Sequence, residues 1–157
     1  TREFVKDGFQ LPEAKGGLSW IDKDTVYVST DFGPGSMTTS GYPRIAKIWK
    51  RGTDLSEAET VFEGKETDMR VVAYYDDTEG FERHFVYRIP KFFQGEFYLR
   101  KDDGTLVKID VPLDASGHRG PCCIRLSLDA CYGEPSLPDV CVCAHSNPPS
   151  LCPQWPD

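Results

Sequence analysis

Cysteine is absent from the first 121 residues of this 157-residue sequence, and lysine is absent after Lys108. Without thiols, the first two thirds of the chain can form no disulfide and no thiolate metal site. No apolar run approaches the length of a membrane helix, so no membrane partner is expected. No basic segment followed by an apolar core marks a signal peptide, which leaves cytoplasm and periplasm equally open as compartments. Concentrated Lys and Arg are missing too, and the net charge is -7. That argues against nucleic acid as a partner, because phosphate binding needs dense cationic charge. The three-to-four-residue apolar spacing of a long helix is also lacking. No Gly-x-Ser-x-Gly nucleophile elbow occurs: Gly33-Pro34-Gly35-Ser36 has neither the trailing glycine nor a strand-to-helix setting. No catalytic residue can therefore be assigned, and nothing in the sequence asks for a cofactor.

What is present falls into two unlike parts. All six cysteines (Cys122, Cys123, Cys131, Cys141, Cys143, Cys152) and seven of the twelve prolines lie from Pro121 onward. Composition breaks near Ser116, as it would after a slip in reading frame or in a truncated gene model. Reading the DNA downstream of codon 116 tests this. Adjacent and one-apart cysteines do not match the usual Cys-x₂₋₄-Cys spacing of structural zinc, so no metal site is expected. Three disulfides in a secreted, cysteine-rich protein remain an alternative.

Before the break the signals are those of strands. Leu18–Ile21, Thr25–Thr30, Arg44–Lys50 and Glu59–Glu63 are short β-branched and aromatic runs. They are separated by Asp22-Lys23-Asp24, by a long loop from Asp31 to Pro43, and by Arg51-Gly52-Thr53. The cycle repeats with Met69–Tyr74, Arg83–Arg88, Glu96–Arg100 and Thr105–Asp110. An irregular loop at Ile89–Phe93 and an Asp103-Gly104 hairpin turn join the last three. Four strands every ~50 residues predict propeller blades, with a β-sandwich as the competing all-β architecture. The expected organisation is a lead-in at 1–17, one four-stranded antiparallel blade at 18–64, a second at 65–112, and an irregular Cys/Pro-rich tail at 113–157. A propeller closes with about four to eight blades. Two blades would leave an apolar face bare at each end, so the expected chain is part of something longer.

Several stretches are specific as patterns: Ser19-Trp20-Ile21-Asp22, Thr30-Asp31-Phe32-Gly33-Pro34-Gly35-Ser36-Met37-Thr38, Ser40-Gly41-Tyr42-Pro43 and Trp49-Lys50-Arg51-Gly52-Thr53, preceded by Phe9–Lys15. Together they resemble a bacterial branch of the prolyl oligopeptidase family of serine peptidases, from about Phe4 to about Ala115. The resemblance implies a seven-bladed propeller that filters substrates by size. It caps an α/β-hydrolase domain whose Ser-Asp-His triad cleaves short peptides after proline. On that footing the chain is a fragment of the non-catalytic propeller, inactive alone. Its implied partners are proline-containing peptides and the hydrolase domain of the parent enzyme. A stand-alone β-rich binding module is the alternative.

Arg88 is the strongest candidate for a functional side chain. It ends a strand, and in prolyl oligopeptidases an arginine at the corresponding strand end reaches the bound peptide backbone. The planar guanidinium suits carbonyl oxygens. Phe92 and Phe93 are candidates for an adjoining apolar subsite. A surface ion pair is the plain alternative for Arg88, and a structural histidine the plain reading of His84. The Asp31–Pro43 loop reads as structural, contacting the next blade or the hydrolase domain.

Overall fold

The computed structural model describes residue 5, residues 8–79 and 82–113, and the backbone of four short strands in the tail. Strands β1 (Gly17–Asp22), β2 (Thr25–Ser29), β3 (Ile45–Lys50) and β4 (Glu59–Glu63) form one antiparallel sheet in sequential order. Strands β5 (Arg70–Asp76), β6 (Arg83–Lys91), β7 (Gln94–Arg100) and β8 (Leu106–Lys108) form a second in the same order. The two expected four-stranded antiparallel sheets of an all-β fold are therefore present.

Turn chemistry sets the hairpins. Asp22 accepts the Asp24 N–H at 2.7 Å, closing β1 onto β2. Gly104 takes φ 85°, a left-handed conformation that costs glycine little, and lets Lys101 N–H reach Thr105 O at 2.9 Å. Leu55–Glu57 makes a single 3₁₀ turn ahead of β4.

Alternation then sorts side chains between faces. In β2, Tyr27 points into the seam between the sheets while Val26 and Val28 point away. In β6, Val86 joins the seam and Phe85 the opposite face. The seam buries Tyr27, Ala46, Val71, Ala73 and Val86, with β5 lying against β1, β2 and β3. Each fully buried large side chain there contributes about 1.5–3 kcal/mol.

Three expectations are revised. The outer faces are not simply bare. Phe9 of the lead-in packs edge-on against Trp49, 4.9 Å between ring centres, over Val26 and Val28. Phe85, Phe97 and Ile109 are buried on the far side of the second sheet. Leu18 and Trp20 nonetheless stay exposed on β1.

The segment at Ile89–Phe93 is not an irregular loop. Strand β6 runs through Pro90 to Lys91, and only Phe92 and Phe93 make the turn into β7. A register irregularity between Arg88 and Lys91 removes the ladder demand on Pro90, which has no N–H to give.

The tail also contains regular backbone. Strands β9 (Ser116–Arg119), β10 (Ile124–Ser127), β11 (Val140–Cys143) and β12 (Ser150–Leu151) pair as a sheet in the order β12-β11-β10-β9. Ile-Arg-Leu and Val-Cys-Val supply short β-branched alternation despite the prolines around them. Cys122, Cys123, Cys131 and Cys152 lie outside the described residues, and the bonding of all six thiols with them.

Candidate functional site

The meander brings three connections to one end of the two sheets: the β2–β3 loop, the β4–β5 link and the β6–β7 turn. Between them lies an open groove of about 690 Å³, lined by Thr39, Ser40, Tyr42, Thr67, Asp68, Met69, Pro90, Lys91 and Phe92.

Its walls are stitched together by backbone bonds. Thr39 N–H donates to Glu66 O at 2.8 Å, and the Ser40 hydroxyl to Met69 O at 3.0 Å. Met69 N–H reaches Ile89 O at 2.8 Å. Farther along the loop, the Asp31 carboxylate accepts the Gly33 N–H at 2.8 Å and the Ser36 hydroxyl at 3.0 Å. Ser36 is buried, and its oxygen also accepts the Phe32 N–H. It staples the loop from within. Arg44 secures the other end, donating to Gly35 O at 2.6 Å and Gly64 O at 2.8 Å.

Arg88 sits directly behind Asp68. Its Nε and Nη2 donate to the two Asp68 oxygens at 2.8 and 2.7 Å, and Nη1 donates to Glu96 at 2.7 Å. Three of its five donors are thus engaged. Glu96 also accepts the Tyr98 hydroxyl at 2.8 Å and the Lys108 ammonium at 2.7 Å. The Lys108 bond, then those from Tyr98 and Arg88, outweigh burial and hold the Glu96 carboxyl down at about 2. The Arg88 bond likewise holds Asp68 below the ordinary carboxylate range, against a smaller opposing effect of burial.

The Asp68 side chain is only 3% exposed and that of Arg88 17%. The sequence points to Arg88 but to neither acid. Glu96 stands directly opposite Arg88 in the β6–β7 register, so a known hairpin register would have revealed it. Asp68 lies in a connection whose path no periodicity encodes.

Phe92 forms part of the groove rim and Phe93 stands beside it, with 73% and 80% of their surfaces exposed. Phe93 adopts φ 56°, the one non-glycine left-handed residue among those described. His84 lies far from this groove end, on β6 opposite Arg100. Among the described residues, no cluster of three or more His, Cys, Asp or Glu could hold a metal ion. The side chain of His118 and all of His145 lie outside the described residues.

No family model matches the chain. It is 45% identical over 67 residues to an uncharacterized peptidase of Sinorhizobium fredii, matching 43% of this chain and 9% of that protein. It is 28% identical over 128 residues to an uncharacterized peptidase of Rickettsia prowazekii, matching 73% of this chain and 18% of that one. The chain thus spans less than a fifth of either curated relative. Among solved structures it is similar to a post-proline cleaving enzyme from Rickettsia typhi. The TM-score is 0.70 at 28% identity, over 79% of this chain and 20% of the enzyme. Residue matches and backbone course agree: the chain is similar to peptidases, a post-proline cleaving enzyme among them, over a limited part of their length.

Proposed function

We propose that this chain is a non-catalytic propeller portion of a serine-type, prolyl-oligopeptidase-like peptidase, with its groove end turned toward peptides entering an α/β-hydrolase domain. The observation that carries this reading is the preformed groove with Arg88 locked behind it. Tyr42, Pro90 and Phe92 offer apolar surface at its rim. Such surface suits proline rings, while the polar backing suits peptide carbonyls.

In this reading Arg88 contributes through the donors that Asp68 and Glu96 leave unused, and Phe92 and Phe93 border an apolar subsite. The propeller restricts access by size, and the chain alone performs no hydrolysis. Short proline-containing peptides are the substrates of the intact protein.

Two measurements test this. A fluorophosphonate probe should leave the isolated chain unlabelled and label the full-length peptidase that contains it. In that peptidase, Arg88→Ala should lower kcat/KM on a proline-containing peptide of four or more residues by about tenfold, the effect of ~1.4 kcal/mol. Labelling of the chain itself would overturn its non-catalytic assignment, and unchanged kinetics the role of Arg88.

A further inference from the structure

At the seam between the two sheets, away from the groove, a histidine and a tyrosine from different sheets share a hydrogen bond. Tyr27 on β2 places its hydroxyl 2.8 Å from His84 Nδ1 on β6. The rings meet nearly edge-on, 5.7 Å between centres, and Tyr75 of β5 packs on the other side of the imidazole at 4.7 Å. Arg100 stands opposite His84 on β7, and its charge acts on both the Tyr27 hydroxyl and the imidazole.

The cationic guanidinium of Arg100 disfavours a second positive charge on the imidazole and so favours its neutral form. A neutral imidazole whose Nδ1 accepts the Tyr27 hydroxyl proton carries its own proton on Nε2.

We propose that Arg100, Tyr27 and His84 form a proton-sensitive latch between the two sheets, closed while the imidazole is neutral and loosened when it is protonated. Protonation at Nδ1 replaces its lone pair with an N–H. The Tyr27 hydroxyl must then turn its proton away and accept from Nδ1–H, and a second cation appears near Arg100. Tyr75 supplies no compensating charge. Asp102 in the β7–β8 turn is the one acid whose field favours the cation among the groups acting on His84. Burial, reinforced by Arg100 and only partly offset by Asp102, holds the imidazole below its ordinary 6.5.

The sign follows. The unfolded chain takes up the proton first as pH falls through 6.5, so the folded state loses ground from there down to the folded-state value.

The seam has its own reporter. Val71 N–H on β5 donates across it to Pro43 O at 2.9 Å, whereas β6–β7 bonding holds the Tyr98 region within one sheet. Amide exchange of the full chain should show Val71 losing protection relative to Tyr98 between pH 7.5 and 5. The loss should grow by at most tenfold per pH unit below 6.5 and level off at the folded-state value. His84→Gln, which cannot titrate in this range, should abolish that dependence. Imidazole NMR of the unsubstituted chain should find His84 as the Nε2–H tautomer, titrating below 6.5, and this stands even where the variant fails to fold. An Nδ1–H tautomer, titration at or above 6.5, or unaltered pH dependence in His84→Gln would each overturn the latch.

Discussion

Arg88 and Asp68 meet as a two-pronged pair: Nε faces Oδ2 at 2.8 Å and Nη2 faces Oδ1 at 2.7 Å. The pair joins β6 to the link that carries the chain from one sheet to the next. Asp68 also accepts the Lys65 N–H at 2.7 Å, so the same carboxylate shapes the link and anchors it. Position in the fold, more than the charges themselves, gives the contact its value, because the Asp68 side chain is nearly sealed from water.

Removing Arg88 should therefore cost more than a surface ion pair would. Arg88→Ala leaves a buried carboxylate with a single backbone donor, and a loss of about 3 kcal/mol is expected. Adding Asp68→Asn should recover ~1 kcal/mol or more, since the stranded charge is then gone. Urea unfolding of the three variants checks this. Equal stabilities for Arg88→Ala and the unsubstituted chain would mean that the pair contributes nothing.

Phe93 offers the opposite test. Its φ of 56° is unfavourable for an aromatic residue, and its ring is largely in water. Asparagine tolerates this conformation, so Phe93→Asn should stabilise the chain by about 0.5–1 kcal/mol. Thermal unfolding would register this as a rise in Tm. A fall would show that the exposed ring packs against something in the folded chain.

Acid should act on the cluster behind the groove. Glu96 is held at about 2 against an ordinary 4.5, chiefly by Lys108, and Asp68 is lowered chiefly by Arg88. Carboxylates depressed in the folded state stabilise it above their unfolded values, and that contribution drains away as pH falls below about 4.5 toward 2. A stability profile of Glu96→Gln should be flatter than that of the unsubstituted chain in this window. Parallel profiles would exclude Glu96 as a source of acid sensitivity.

The two acid-sensitive elements occupy different pH ranges, which keeps them separable. His84 acts downward from 6.5, and the carboxylates only below about 4.5.

Much of this was legible in the residues. Thr25–Ser29 and Arg83–Arg88 carry the β-branched and aromatic alternation that strands need, and Asp103-Gly104 announces its hairpin. Arg88 drew notice because a strand-end arginine matched a family pattern. Its engagement with Asp68 and Glu96 was not foreseen, because one partner depends on strand register and the other on the path of a connection. The extension of β6 through Pro90 escaped for a related reason. Proline reads as a breaker until a local irregularity excuses its missing N–H.

By itself, then, the sequence determined the local element types, the two-unit repeat and the family likeness, because all three reside in residue order and short-range stereochemistry. Only the tertiary structure decided that Tyr27 meets His84, that Asp68 meets Arg88, and that Phe9 covers Trp49. Those pairs lie far apart along the chain, and which side chains share an interface is settled by how twisted sheets stack on each other.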